Sequence, residues 1–152
     1  MYSSAGMAFL HHLAAFTVVA ALAVEVAMFK PPLTVPQARR LVWTDTLFGA
    51  AATVVLLVGL LRVWYFEKGP AYYWHDLFFL IKFGAFVIAG LVSIYPTVTF
   101  LSWRRAINAG AAPEVSTART RRVRLCLMLE LTAIVVILGC AALMARGAGY
   151  LR

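Results

Sequence analysis

The sequence predicts an all-α integral membrane protein, a four-helix bundle with both termini outside, and three observations carry that reading. Hydrophobic residues make up 63% of the 152 and charged residues only 13%, whereas a soluble domain runs at about 25% charged because its surface faces water. The apolar residues fall into four runs, each meeting the roughly 20 residues that a spanning helix needs. The cations stand at the ends of these runs and in the connecting loops, as membrane topology demands. A mean hydropathy of +0.86 and only six acidic residues exclude an ordinary soluble enzyme. They exclude a disordered chain as well. The formal charge of +8 is then a topology signal and not a nucleic-acid footprint.

The first helix is expected over about 6–29, and it stops at Lys30-Pro31-Pro32 because proline cannot continue a helix. It lacks a positive n-region and its apolar run is too long for a signal-peptide core, so it reads as a mature helix. The second is expected over about 41–66, closed by Glu67-Lys68-Gly69-Pro70, and the third over about 73–103, followed by Arg104-Arg105. The fourth spans about 123–145 and ends at Arg146-Gly147. Nothing alternates with period two, so a barrel is excluded. Residues 1–152 form a single transmembrane domain with no internal repeat. Cys126 and Cys140 lie about 21 Å apart along one helix, too far for a disulfide. Gly49, Gly59, Gly84 and Gly90 read as points where helix backbones approach closely.

Lysine and arginine set the orientation. The first loop carries Lys30, Arg39 and Arg40, and the third carries Arg104, Arg105, Arg119, Arg121, Arg122 and Arg124. The N-terminal tail has none, and the short second loop has only Lys68. The first and third loops are therefore cytoplasmic. The basic third loop is a topology signal first and a contact for anionic lipid second.

An ionisable side chain within a span costs about 2.5–3.5 kcal/mol on insertion scales and is a functional hypothesis by default. Here there are eight: His11, His12, Glu25, Asp45, Arg62, His75, Lys82 and Glu130. Depth divides them. His11, His12, Arg62, His75 and Lys82 belong to the outer half, and Lys82, seven residues beyond His75, shares its helical face about 10 Å deeper. Glu25, Asp45 and Glu130 lie near the inner ends of their helices.

Histidines at one depth on two helices are able to ligate haem iron from both sides. His11 or His12 gives one axial bond and His75 the other; adjacent residues project about 100° apart, so only one of the pair faces the haem. Phe9, Phe16, Trp74, Phe78 and Phe79 supply walls, and Arg62 and Lys82 neutralise the propionates. With no CxxCH attachment motif, the haem b is non-covalent. His75 beside Tyr72, Tyr73 and Trp74 also fits an interfacial aromatic belt. Copper on His11 and His12 with Met1 and Met7 is a weaker alternative. Glu25, Asp45 and Glu130 read equally as a proton or cation site and as structural pairs, Asp45 with Arg39 or Arg40 and Glu130 with Arg124. Ser93, Tyr95, Pro96 and Thr97 mark a kink whose freed carbonyl a hydroxyl can satisfy. Three functions follow: a redox or electron-transfer haem protein, an oxidoreductase if it is an enzyme; a cofactor-free proton or metal-ion transporter, which in so small a bundle implies a homo-oligomer; or an accessory scaffold subunit.

Leu10-His11-His12-Leu13-Ala14-Ala15-Phe16, Gly59-Leu60-Leu61-Arg62-Val63 through Glu67-Lys68-Gly69, and Phe79 to Arg105 with Ser93-Ile94-Tyr95-Pro96-Thr97 together resemble a family of small four-helix bacterial predicted membrane proteins. The resemblance covers nearly the whole chain and implies four helices without an activity. A more distant likeness, in the opening Leu-His helix and the Trp-His and Lys of the third, is to the haem-b-containing bacterial protoporphyrinogen oxidases and to copper-resistance protein D membrane domains. It implies a first-helix haem ligand at His11 or His12, a bacterial inner membrane, and a quinone or porphyrinogen as electron partner. Those oxidases space the third-helix His and Lys two residues apart. Here His75 and Lys82 are seven apart; with Lys82 aligned, the oxidases' His position falls on Leu80 and that ligand is missing.

Overall fold

A computed structural model describes residues 2–67 and 69–149. Its long helices are α1 (Tyr2–Met28), α2 (Val35–Leu61), α4 (Leu77–Ser102) and α6 (Thr117–Ala145), with short helices α3 (Pro70–Trp74) and α5 (Arg104–Asn108) between them. No strand occurs among the described residues. Four segments are long and apolar enough to cross a membrane: Ser4–Met28, Val35–Phe66, Leu77–Asn108 and Thr117–Ala145.

Each of the last three expected helices differs in its bounds for a local reason. α2 begins six residues earlier than expected, at Val35, because Thr34 and Gln37 form a reciprocal capping box with a proline in the first turn. α6 begins at Thr117, where the Ser116 hydroxyl accepts from Arg119 N. The third helix is not continuous from Tyr73. Asp76 leaves helical geometry, its carboxylate accepts from Phe79 N, and α4 starts only at Leu77. His75 therefore belongs to the end of α3, and the shared helical face expected for His75 and Lys82 does not exist. Past α6, the chain turns back so that the Gly149 carbonyl accepts from Leu77 N.

The four long helices form a ring in which α1 packs on α2, α2 on α4, α4 on α6 and α6 on α1. The tightest packing is at the end carrying the 29–34 and 109–116 connections, here the basic end. Phe29 and Trp103 stack there beside Phe100, and Leu22, Leu41, Val123 and Leu127 are wholly buried. Of the glycines expected at close approaches, only Gly59 has a neighbour: an added Cβ would stand 3.2 Å from His11 Cε1. Gly49, Gly84 and Gly90 face open space, so they are not packing notches within the bundle.

Candidate functional site

Two polar sites occupy opposite ends of the bundle. The first is a cavity of about 300 Å³ at the end away from the basic connections, lined by all four long helices. α1 contributes His11, His12 and Ala15; α2 contributes Val55, Leu56, Gly59 and Leu60; α4 contributes Phe79, Lys82, Phe83 and Phe86; α6 contributes Ile137, Leu138, Ala141 and Met144. Arg62, Val63, Glu67 and Tyr73 line it from the connection that follows α2. A volume of this size stands at the lower bound of ligand pockets, which run from about 300 to 1,000 Å³.

Local backbone places the polar groups. Residues Arg62–Phe66 wind as a π-helical turn at the end of α2, a feature common at functional sites because the extra residue re-aims side chains. Arg62 Nη2 reaches Glu67 Oε1 at 2.6 Å, with both side chains partly exposed, so Arg62 already has a counter-charge. Lys82 forms no direct ion pair: its ammonium lies 5.6 Å from the centre of the Phe79 ring, the buried Asp76 carboxylate acts on it from beyond ion-pair distance, and the Arg62–Glu67 pair is the only ion pair among the described residues. His11 has Arg62, Lys82 and His12 as its charged and titratable neighbours. Its Nδ1 is buried without a hydrogen-bond partner, the Val55 backbone lying alongside but outside bonding geometry. His12 Nδ1 instead lies 2.6 Å from the Ala8 carbonyl oxygen, which leaves its Nε2 free. At the rim, burial first and the Glu67 carboxylate second push the Tyr73 phenol above its usual range, against a smaller opposing effect of Arg62.

His11, His12, Arg62 and Lys82 thus meet in one cavity, while His75 does not join its lining. The helix is interrupted at Asp76, and the structure places the His75 ring outside the lining, exposed, with Nδ1 2.7 Å from the Ala71 carbonyl oxygen. The expected walls also differ. Phe79 is present, but Phe9, Phe16, Trp74 and Phe78 are replaced by Phe83 and Phe86. These two follow Phe79 at helical spacing on α4, a pattern readable in the sequence. Glu67 and Tyr73 were not expected in the site, since nothing in the sequence announces the π-helical turn.

The second site is nearer the basic end. Glu25 of α1, Asp45 of α2 and Glu130 of α6 are exposed by only 1%, 3% and 1%, and Glu25 is electrostatically coupled to both of the others. From α4, the Thr97 hydroxyl donates to Asp45 Oδ1 at 2.8 Å. Glu25 Oε1, Asp45 Oδ2 and Glu130 Oε1 are buried without a partner. The expected pairs of Asp45 with Arg39 or Arg40 and of Glu130 with Arg124 do not form: all three arginines are exposed, as the long basic side chains stay at the polar boundary. Among the described residues, no group of three His, Cys, Asp or Glu side chains is placed to hold a metal ion, and Cys126 and Cys140 are free.

Comparison with known proteins places the chain. The predicted membrane protein family DUF2214 matches residues 3–149. The chain belongs to the DUF2214 family. It is accordingly a membrane protein, and the four apolar helices are its candidate spans. Neither a curated protein nor a solved structure matches this DUF2214 chain.

Proposed function

We propose that this DUF2214 protein binds an amphipathic anion in the cavity, that the anion is non-covalent haem b, and that the role is redox or electron transfer in a bacterial inner membrane. One observation carries the reading: a single cavity joins two imidazoles, the cations Arg62 and Lys82, and a Phe79-Phe83-Phe86 wall. The residues fit the group. An apolar macrocycle suits the aromatic and aliphatic lining, two carboxylates suit two cations, and the unpartnered Nδ1 of His11 suits a metal. Haem supplies one-electron chemistry when bound. His11 is the first candidate ligand, and His12, its neighbour on α1, is the alternative. Lys82, free of any ion pair, holds a propionate outright, whereas Arg62 exchanges Glu67 for one. A quinone or porphyrinogen is the electron partner that the reading implies.

The test is the visible spectrum of detergent-purified protein, made with adequate haem supply, before and after dithionite. The expected outcome is a Soret band that is lost in His11→Ala and retained in His75→Ala. A colourless wild type sinks the reading, and loss in His75→Ala would restore the two-histidine arrangement in a rearranged α3.

A second reading rests on the acidic layer. Three buried carboxyls from three helices without any cation are costly in a bilayer and mark proton relays in transporters. Because the trio is not placed to hold a metal ion, the cargo of this alternative is the proton. Proton uptake by proteoliposomes that is lost in Glu25→Gln and indifferent to His11→Ala supports it; no flux in the wild type removes it. With neither colour nor flux, a scaffold role for the bundle is what stands.

A further inference from the structure

A second groove, of about 470 Å³, runs between the end of α1 and the start of α2 at the basic end. Its apolar lining comes from Val24 and Met28 of α1 and Val35 of α2, and its rim carries Arg39, Arg40 and Trp43. Both arginines are exposed and neither enters an ion pair, since the only one among the described residues is Arg62–Glu67. Trp43 is 70% exposed and follows Arg39 by one helical turn, about 6 Å deeper along α2. From Arg39 inward the groove is graded: charge at the two arginines, then the Trp43 ring one turn deeper, against an apolar wall of Val24 and Met28, while Val35, one turn before Arg39, lies on the outer side. That is the profile of one leaflet, from headgroup to acyl chain. It lies apart from the cavity, with which it shares no lining residue.

We propose that this groove is a specific binding site for an anionic phospholipid of the cytoplasmic leaflet, with the phosphate between Arg39 and Arg40 and the chain along Val24 and Met28. A free phosphate would use the rim alone, and a zwitterionic lipid would place its own cation against the two guanidinium groups. Basic pockets between helices on the cytoplasmic side recognise anionic headgroups in this way. Each arginine near the surface contributes about fivefold, so the pair contributes about 25-fold.

Native mass spectrometry of the detergent-solubilised full chain, titrated with phosphatidylglycerol, phosphatidylcholine or inorganic phosphate, tests the site. The expected result is one phosphatidylglycerol retained per chain, no comparable retention of phosphatidylcholine, and no displacement by millimolar phosphate. R39Q/R40Q should weaken retention about 25-fold, while R104Q/R105Q, an equally basic and exposed pair elsewhere on the same end, should leave it unchanged. Equal loss in both double variants would show diffuse surface attraction and overturn the site. So would equal retention of the two lipids. Displacement by phosphate alone would overturn the lipid assignment in favour of a simple anion site. Both arginines are exposed, so their substitution leaves the packed core intact, and an unchanged melting curve checks that directly.

Discussion

The two ends of the bundle are built on opposite terms. At the basic end, the helices close on Leu22, Phe29, Phe100 and Leu127, and the polar groups among them are acids with no counter-charge. At the other end, the helices part around a cavity where two imidazoles and the cations Arg62 and Lys82 outnumber the one lining acid, Glu67, which Arg62 already pairs. Tight packing excludes water and leaves a carboxyl only its immediate neighbours; a cavity leaves room for a ligand to complete the charge balance. Polar groups of opposite sign are thus handled by opposite means, one sealed and one left open. The difference teaches where change will cost stability and where it will cost binding.

The largest contrast is in packing. Phe100→Ala at the basic end should cost about 3–5 kcal/mol, while Phe83→Ala, half-buried on the cavity wall, should cost about 1–2 kcal/mol through its lost ring contacts with Phe79 and Trp74. Thermal unfolding in one detergent measures both, and equal losses would erase the distinction between sealed and open ends. Next comes the acidic layer. Thr97→Ala removes the only hydrogen bond to the Asp45 carboxylate among the described residues and should cost about 1–3 kcal/mol. Glu130→Met, which replaces an unpartnered buried carboxyl with an apolar chain of similar size, should be neutral or stabilising by about 1–4 kcal/mol. If Glu130→Met is instead strongly destabilising, Glu130 has a partner and the sealed end is not short of counter-charge.

At the open end, the expected effects move from stability to binding. Gly59→Val brings branched bulk to a position where even a Cβ stands 3.2 Å from His11. It should displace the imidazole and abolish the haem spectrum with little change in melting temperature. Unaltered binding would remove His11 from the site. The smallest effect is at the rim. Tyr73 ionises above the usual tyrosine range, so it stays protonated to a higher pH than an exposed tyrosine. Glu67→Gln removes the charge of the nearby carboxylate and should lower the midpoint without restoring it, because burial is the larger cause. Alkaline difference absorbance against a Tyr73→Phe reference reads it, and a midpoint unmoved by Glu67→Gln would separate Tyr73 from the Arg62–Glu67 pair.

Much of this architecture is legible in the chain. Four apolar runs of spanning length require four helices, since no other backbone arrangement satisfies its hydrogen bonds within so short a segment in lipid. The grouping of Glu25 with Asp45 and Glu130, and of His11 with Arg62 and Lys82, follows from their depth alone. Thr34 with Gln37 and Ser116 start α2 and α6 six residues ahead of the apolar runs, so limits set by hydropathy pass over the caps. Asp76 is such a case. A lone acid between Trp74-His75 and Leu77-Phe78-Phe79 reads as part of a span until its carboxylate is seen to cap the next helix. What the sequence withholds is azimuth. Depth says that Asp45 and Arg39 are neighbours in height; only the packed helices show that Asp45 turns inward to Thr97 while Arg39 turns out.

The π-helical turn at Arg62–Phe66 holds one residue more than an α-helical path over the same rise would need. A single deletion inside an ordinary helix rotates everything beyond it by about 100° and would scramble a bundle. Here a single deletion would be absorbed by restoring α-helical winding, with α2 and the start of α3 keeping their places. The mouth of the cavity is thus a stretch of this span where the chain is able to lose a residue, and with it an arginine's direction, without refolding the rest.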